Sequence, residues 1–279
     1  MFRVGSLLQA VAALLFLVSS IAFALSAGAS PDTGPGTPGI RFPGETFALE
    51  PPDAAVSVWS RQQEVLAAQN RDAHPAPELA RPQGYALRLL LGAVWIAVLL
   101  LAAGAVRAVA AGDATASLRP VAGRLALVAA LVCGAAWPWV AQITRLGGFL
   151  VVAGMAGFAV LAALGITAGP GPARPWQSRG SLGFFAGWAL VGVYSSLAAI
   201  LVQDLGLSVA LATLVGAGLL LGTAVEIQLR LGSVVAFSLA IMWAMIVFAA
   251  QSIGSDITVT LTAIAAVAGL AAVMVQVLS

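Results

Sequence analysis

Charge is what this sequence has least of. Only 9% of its 279 residues are charged, and all 13 basic residues are arginine. A soluble domain carries roughly 25% charged residues, so this chain lacks the polar cover that a water-facing surface needs. One cysteine, Cys133, cannot form an internal disulfide, which excludes a disulfide scaffold. One histidine, His74, and one cysteine leave no set of zinc ligands. The net charge of +2 is small and the arginines are scattered, so no basic cluster points to nucleic acid. Period-two alternation of the kind that builds an outer-membrane barrel is also missing.

What is present is apolar. Hydrophobic residues make up 61% of the chain and its mean hydropathy is +1.01. A helix needs about 20 residues to cross the hydrocarbon core. Runs without central charges fall at 5–27, 85–109, 122–142, 146–167, 183–203, 207–225, 231–251 and 257–278. In lipid a helix satisfies its own backbone polar groups. The expected fold is therefore an all-α integral membrane bundle of eight transmembrane helices. The first run has a rival reading as a signal peptide, because Arg3 precedes it and Ala27-Gly28-Ala29 has the A-x-A form of a cleavage site. The apolar stretch from Leu7 to Leu25 is longer than a usual signal core, which favours a retained anchor.

Two segments interrupt the pattern. Residues 28–84 hold most of the prolines and seven of the eleven acids, and form one long loop with a short surface helix expected over Ser57–Arg71. Trp59 is its expected apolar anchor over the mouth of the bundle. Residues 169–182 form a Pro/Gly-rich connection that divides helices one to four (1–168) from helices five to eight (183–279). Arginine placement orients the chain. With the N-terminus in the cytoplasm, Arg3, Arg107, Arg119, Arg124, Arg174, Arg179 and Arg230 fall on the cytoplasmic side, and only Arg145 falls in the opposite short loops. The expectation is a plasma-membrane (bacterial inner-membrane) protein with both termini cytoplasmic and loop 28–84 external.

No phosphate loop, nucleophile elbow or HExxH motif is present, so enzyme chemistry is not expected. Acids near helix centres, which mark proton relays or cation sites, are missing too. Glu226 and Arg230 have the spacing of a helical ion pair, Asp204 is expected to cap a helix junction, and His74 is a solvated loop residue. Aromatic residues carry more information. Trp139 and Trp176 suit the membrane-interface belt, while Trp95 and Trp188 lie deeper than a belt requires. Phe184, Trp188 and Ser195 share one helical face by their spacing. Gly183/Gly187 and Gly218/Gly222 are G-x-x-x-G pairs, suited to close packing inside the bundle or to a homo-oligomer contact.

Three stretches resemble the TspO/MBR-related tryptophan-rich sensory proteins, in their long bacterial branch. Phe184–Val202 (FFAGWALVGVYSSLAAILV) is similar to the family's fifth-helix pattern, with Gly187-Trp188 in place and Ser196 where the family carries asparagine. Arg124–Val140 (RLALVAALVCGAAWPWV) resembles the third-helix pattern, with Trp137 as the tryptophan and Gly134 replacing the asparagine. The proline motif ahead of the second helix has two placements, Pro51–Trp59 (PPDAAVSVW) and Arg81–Tyr85 (RPQGY), and the second is preferred because a helix must come next. The resemblance implies a five-helix core plus three appended helices, and a hydrophobic ligand such as a tetrapyrrole. The candidate contacts are Trp95, Trp137, Trp188 and Tyr194, with Tyr85 and Ser196 as hydrogen-bonding groups. No cofactor or metal is expected. A transporter of a hydrophobic metabolite and a non-catalytic accessory or assembly subunit stand beside ligand binding as alternatives.

Overall fold

The computed structural model describes residues 2–26, 85–110, 121–167, 176–232, 234–252 and 257–279. Among them every regular element is an α-helix. In chain order these are α1 (Phe2–Ser26), α2 (Tyr85–Ala110), α3 (Val121–Ile143), α4 (Arg145–Thr167), α5 (Trp176–Gln203), α6 (Val209–Leu231), α7 (Val235–Ser252) and α8 (Ile257–Leu278). Seven are long and apolar enough to cross a membrane; α7 has a shorter apolar stretch, Val235–Ala250. The protein is thus a polytopic helical membrane protein. Loop 28–84, with Trp59 and His74, lies outside the described residues, as does the Ala27-Gly28-Ala29 sequence.

Two boundaries differ from expectation. α5 starts at Trp176, well before 183, because Pro175 precedes it and no further proline follows; a proline suits the entry to a helix and not its interior. α6 runs on to Leu231 and takes in both Glu226 and Arg230, stopping only at Gly232, whose φ of 60° suits glycine. The expected pair does form within the helix, with Glu226 Oε1 2.6 Å from Arg230 Nη2, and both side chains are exposed.

The helices close into two rings. α1 packs on α2 and α3, α3 on α4, α4 on α5, and α5 returns to α2. α5 also packs on α6 and α7, and α8 joins those two from the far side. α5 is therefore shared. The outward face of α1 (Leu7, Val11, Leu14, Val18, Ile21, Leu25) is exposed leucine, isoleucine and valine, as expected of a surface that meets lipid tails.

Small residues bring α5 and α7 together. A Cβ on Gly187 would overlap the Phe237 carbonyl oxygen, and one on Gly183 would sit 2.6 Å from Val234 Cγ1. This first G-x-x-x-G pair is thus spent inside the bundle. The second faces outward: Gly218 and Gly222 are exposed, with nothing near them. The α6–α7 turn is held by a closed polar network. Gln228 Nε2 donates to the Gly232 carbonyl (2.7 Å) and Ser238 Oγ donates to Gln228 Oε1 (2.7 Å). Both side chains are buried, so each polar atom needs the partner it has.

Gly187→Ala should therefore destabilise the protein by about 1–3 kcal/mol, the usual range for overpacking. Gly222→Ala should be neutral or slightly stabilising, since alanine favours a helix by about 0.8–1 kcal/mol where space is open. Thermal unfolding in detergent compares the two; equal losses would contradict the close approach of α5 and α7.

Candidate functional site

The W-P-W sequence of α3 sends its two tryptophans in different directions, since residues two apart lie on nearly opposite sides of a helix. Trp137 points inward and is 1% exposed, whereas Trp139 is 42% exposed. Pro138 between them has no N–H to give to the preceding turn. One residue further along, the Ala135 carbonyl receives Ser19 Oγ of α1 (2.6 Å), and Ser19 Oγ in turn accepts Trp139 Nε1 (2.8 Å). Phe23 of α1 packs edge-on against Trp139, with ring centroids 5.5 Å apart. Trp139 is thus tied to α1 as well as lying at the rim.

Inside the first ring, four aromatic side chains from three helices meet. Phe16 of α1 contacts Phe185 and Trp188 of α5 edge-on, at centroid separations of 5.5 and 6.4 Å. Trp137 of α3 meets Trp188 at 5.8 Å, also edge-on. Such T-shaped pairs contribute roughly 0.5–1.5 kcal/mol beyond their area. Trp188 is 3% exposed and sits at the centre of the group. Gly134 makes room for it: a Cβ there would lie 2.7 Å from the Phe16 ring and 2.9 Å from Met155 Sδ. The space that a side chain at position 134 would need is therefore taken by a phenylalanine from α1.

The six candidate residues do not form one group. Trp137 and Trp188 touch. Trp95 lies on the α1–α2 seam, half-buried, and donates its Nε1 to Ser20 Oγ at 2.9 Å. Tyr194 lies on the α5–α6 seam and shares a 2.5 Å hydrogen bond with Thr223 Oγ1. Ser196 is 4% exposed on α5. Tyr85 opens α2, with its side chain outside the described residues, as is that of Trp176. Phe184 and Trp188 share a face by spacing but part in their contacts: Phe184 meets Trp243 of α7 at 6.4 Å, while Trp188 turns to the first ring.

Polar groups that sequence reasoning passed over tie the helices together. Ser19 and Ser20 are one example; Gln9 of α1, buried and donating to the Leu101 carbonyl of α2 at 3.3 Å, is another. A serine pair and a glutamine in an otherwise apolar run were the signal for them. The described charged side chains lie toward helix ends. Asp204 directly follows α5, its N–H donating to the Ile200 carbonyl, and its carboxylate accepts Arg145 Nη1 at 3.0 Å, joining the start of α4 to the end of α5. Among the described residues no group of three His, Cys, Asp or Glu side chains can hold a metal.

Phe16→Ala should cost about 3–5 kcal/mol, the usual loss for a buried phenylalanine, measured as detergent-phase unfolding. A loss below about 1 kcal/mol would mean that the four rings do not pack as described. Comparison of the chain with known proteins finds no matching protein family, curated protein or solved structure.

Proposed function

We infer that this protein binds a hydrophobic ligand in the membrane, in the manner of the tryptophan-rich sensory proteins that its third and fifth helices resemble. The observation that carries this reading is the buried cluster of Trp137, Trp188, Phe16 and Phe185, drawn from three helices of the first ring. Clustered aromatic side chains with few polar groups are the kind of surface on which a flat apolar molecule such as a tetrapyrrole would stack. Ion-coupled transport is supported less well, because the described charges lie toward helix ends, away from mid-membrane depth.

The inferred setting is the plasma membrane, crossed eight times with both termini cytoplasmic. α7 supplies the eighth crossing: its 18 residues reach about 27 Å at 1.5 Å per residue, close to the roughly 30 Å of hydrocarbon. The orientation rests on the arginine asymmetry of the short loops, with Arg145 the one arginine on the opposite side.

Titrating the purified protein with protoporphyrin IX while following tryptophan fluorescence should give saturable quenching, weakened about tenfold or more in Trp188→Ala. Quenching that never saturates and is unchanged by the substitution would overturn ligand binding. A reporter active only in the cytoplasm should work when fused after Ser279; activity only of a periplasm-dependent reporter would overturn the eight-span topology.

A further inference from the structure

Two buried polar groups stand out where Trp137 of α3 reaches across the first ring to α5, because neither has a partner. Trp137 Nε1 and Ser196 Oγ are both fully screened from solvent and make no hydrogen bond. Most buried polar groups in folded proteins are paired, so two orphans in one region call for a cause. The indole edge of Trp137 lies against α5: its Cη2 and Cζ2 are 3.9 and 4.0 Å from where a Cβ on Gly192 would be. Cζ2 is on the nitrogen-bearing side of the indole. Ser196 follows Gly192 by one helical turn and so lies on the same face of α5. The acceptor a helical serine would ordinarily use, the carbonyl four residues back, is already engaged, because Ser195 Oγ donates to the Gly192 carbonyl at 3.1 Å. The Ser196 hydroxyl is thereby left over.

An indole N–H can only donate, and a serine hydroxyl can donate as well. What they jointly lack is an acceptor. The electrostatic setting decides which kind. Among the described residues, the charges toward the outer end of α5 are Arg145 and Asp204, which neutralise each other. Asp204 is eight residues beyond Ser196, or about 12 Å along the helix. A carboxylate placed beside these donors would be desolvated with no cation beside it, at a cost that far exceeds two hydrogen bonds. A neutral oxygen carries no such penalty.

We propose that Trp137 Nε1 and Ser196 Oγ form a two-donor seat for a neutral carbonyl oxygen, so that the ligand is an uncharged apolar molecule bearing an ester, ketone or amide, and not a free acid. The assignment rests on the ligand-binding reading above and narrows it. Ser196 is its specificity-determining residue. The same oxygen chemistry can come from a buried water, and the experiment separates the two sources.

The probes are protoporphyrin IX and its dimethyl ester, which share a ring and differ in carrying free carboxylates or neutral ester carbonyls. Both are titrated by saturable tryptophan quenching of the full chain in detergent. The ester should bind at least tenfold more tightly than the diacid. Ser196→Ala and Trp137→Phe should each weaken the ester about tenfold more than they weaken the diacid, while Ser196→Thr, which keeps the hydroxyl, should restore ester binding. Equal affinities for the two probes overturn the seat while leaving ligand binding in place. So does an Ser196→Ala protein that binds the ester normally but shifts in unfolding temperature, the behaviour expected if the donors hold only a structural water. Absence of saturable quenching by either probe overturns the binding reading, and the seat with it.

Discussion

The close contact of α5 with α7 is the constraint on which the rest of the bundle depends. α5 belongs to both helix rings, so its two sides must satisfy different demands. Toward α7 it carries Gly183 and Gly187, where the opposing backbone comes too near for a side chain. Toward α1 and α3 it carries Phe185 and Trp188, large rings that fill the first ring's interior. In lipid no hydrophobic drive favours helix association, since the tails are as apolar as leucine. Shape must supply the specificity. Small residues on one side and bulky aromatics on the other let a single helix hold two bundles at different separations.

Hydrogen bonds fix what packing alone leaves loose. α1 has a wide lipid-facing leucine and valine face, yet its inner side offers Gln9, Ser19 and Ser20 to α2 and α3. Two tryptophan N–H groups, of Trp95 and Trp139, end on α1 hydroxyls. Loss of α1 would strand both indoles, together with the space at Gly134 that the Phe16 ring fills. α1 is therefore an integral part of the packing of the first ring. At the opposite end of the chain, Gln228 and Ser238 hold the α6–α7 turn closed by the same means.

Helix class and most boundaries were legible because apolar runs of spanning length, separated by charges and prolines, leave little choice of structure. Boundaries slipped where the chain remained helix-competent beyond its apolar limit, at Trp176–Arg179 and at Glu226–Leu231. Hydropathy measures membrane burial and says nothing of where a helix ends in water. The site was less legible. Trp137 and Trp188 stood out by residue type, but their partner Phe16 is one apolar residue among many in α1, far away in sequence. Tyr194 and Trp95 looked like members of the same group until the seams were resolved; chain spacing reports which face a residue shares, not which neighbour covers it.

The two rings are unequal in a way that bears on function. In the second, the buried side chains are chiefly alanine, leucine, valine and isoleucine with Phe237 and Met245, and its polar pairs, Tyr194 with Thr223 and Gln228 with Ser238, satisfy each other. α6 and α8 present broad faces outward, as helices that meet lipid on one side do. The first ring holds the clustered aromatics, the helix that carries Pro138, and the unpaired donors of Trp137 and Ser196. An interior optimised for stability alone would have paired those donors or replaced them with apolar groups of the same shape, at little cost. The proposed ligand-binding reading therefore rests on the first ring, where these donors lie near Trp188. α5 joins the two rings: one face packs its glycines on Phe237 of α7, and the other carries Trp188 to Trp137.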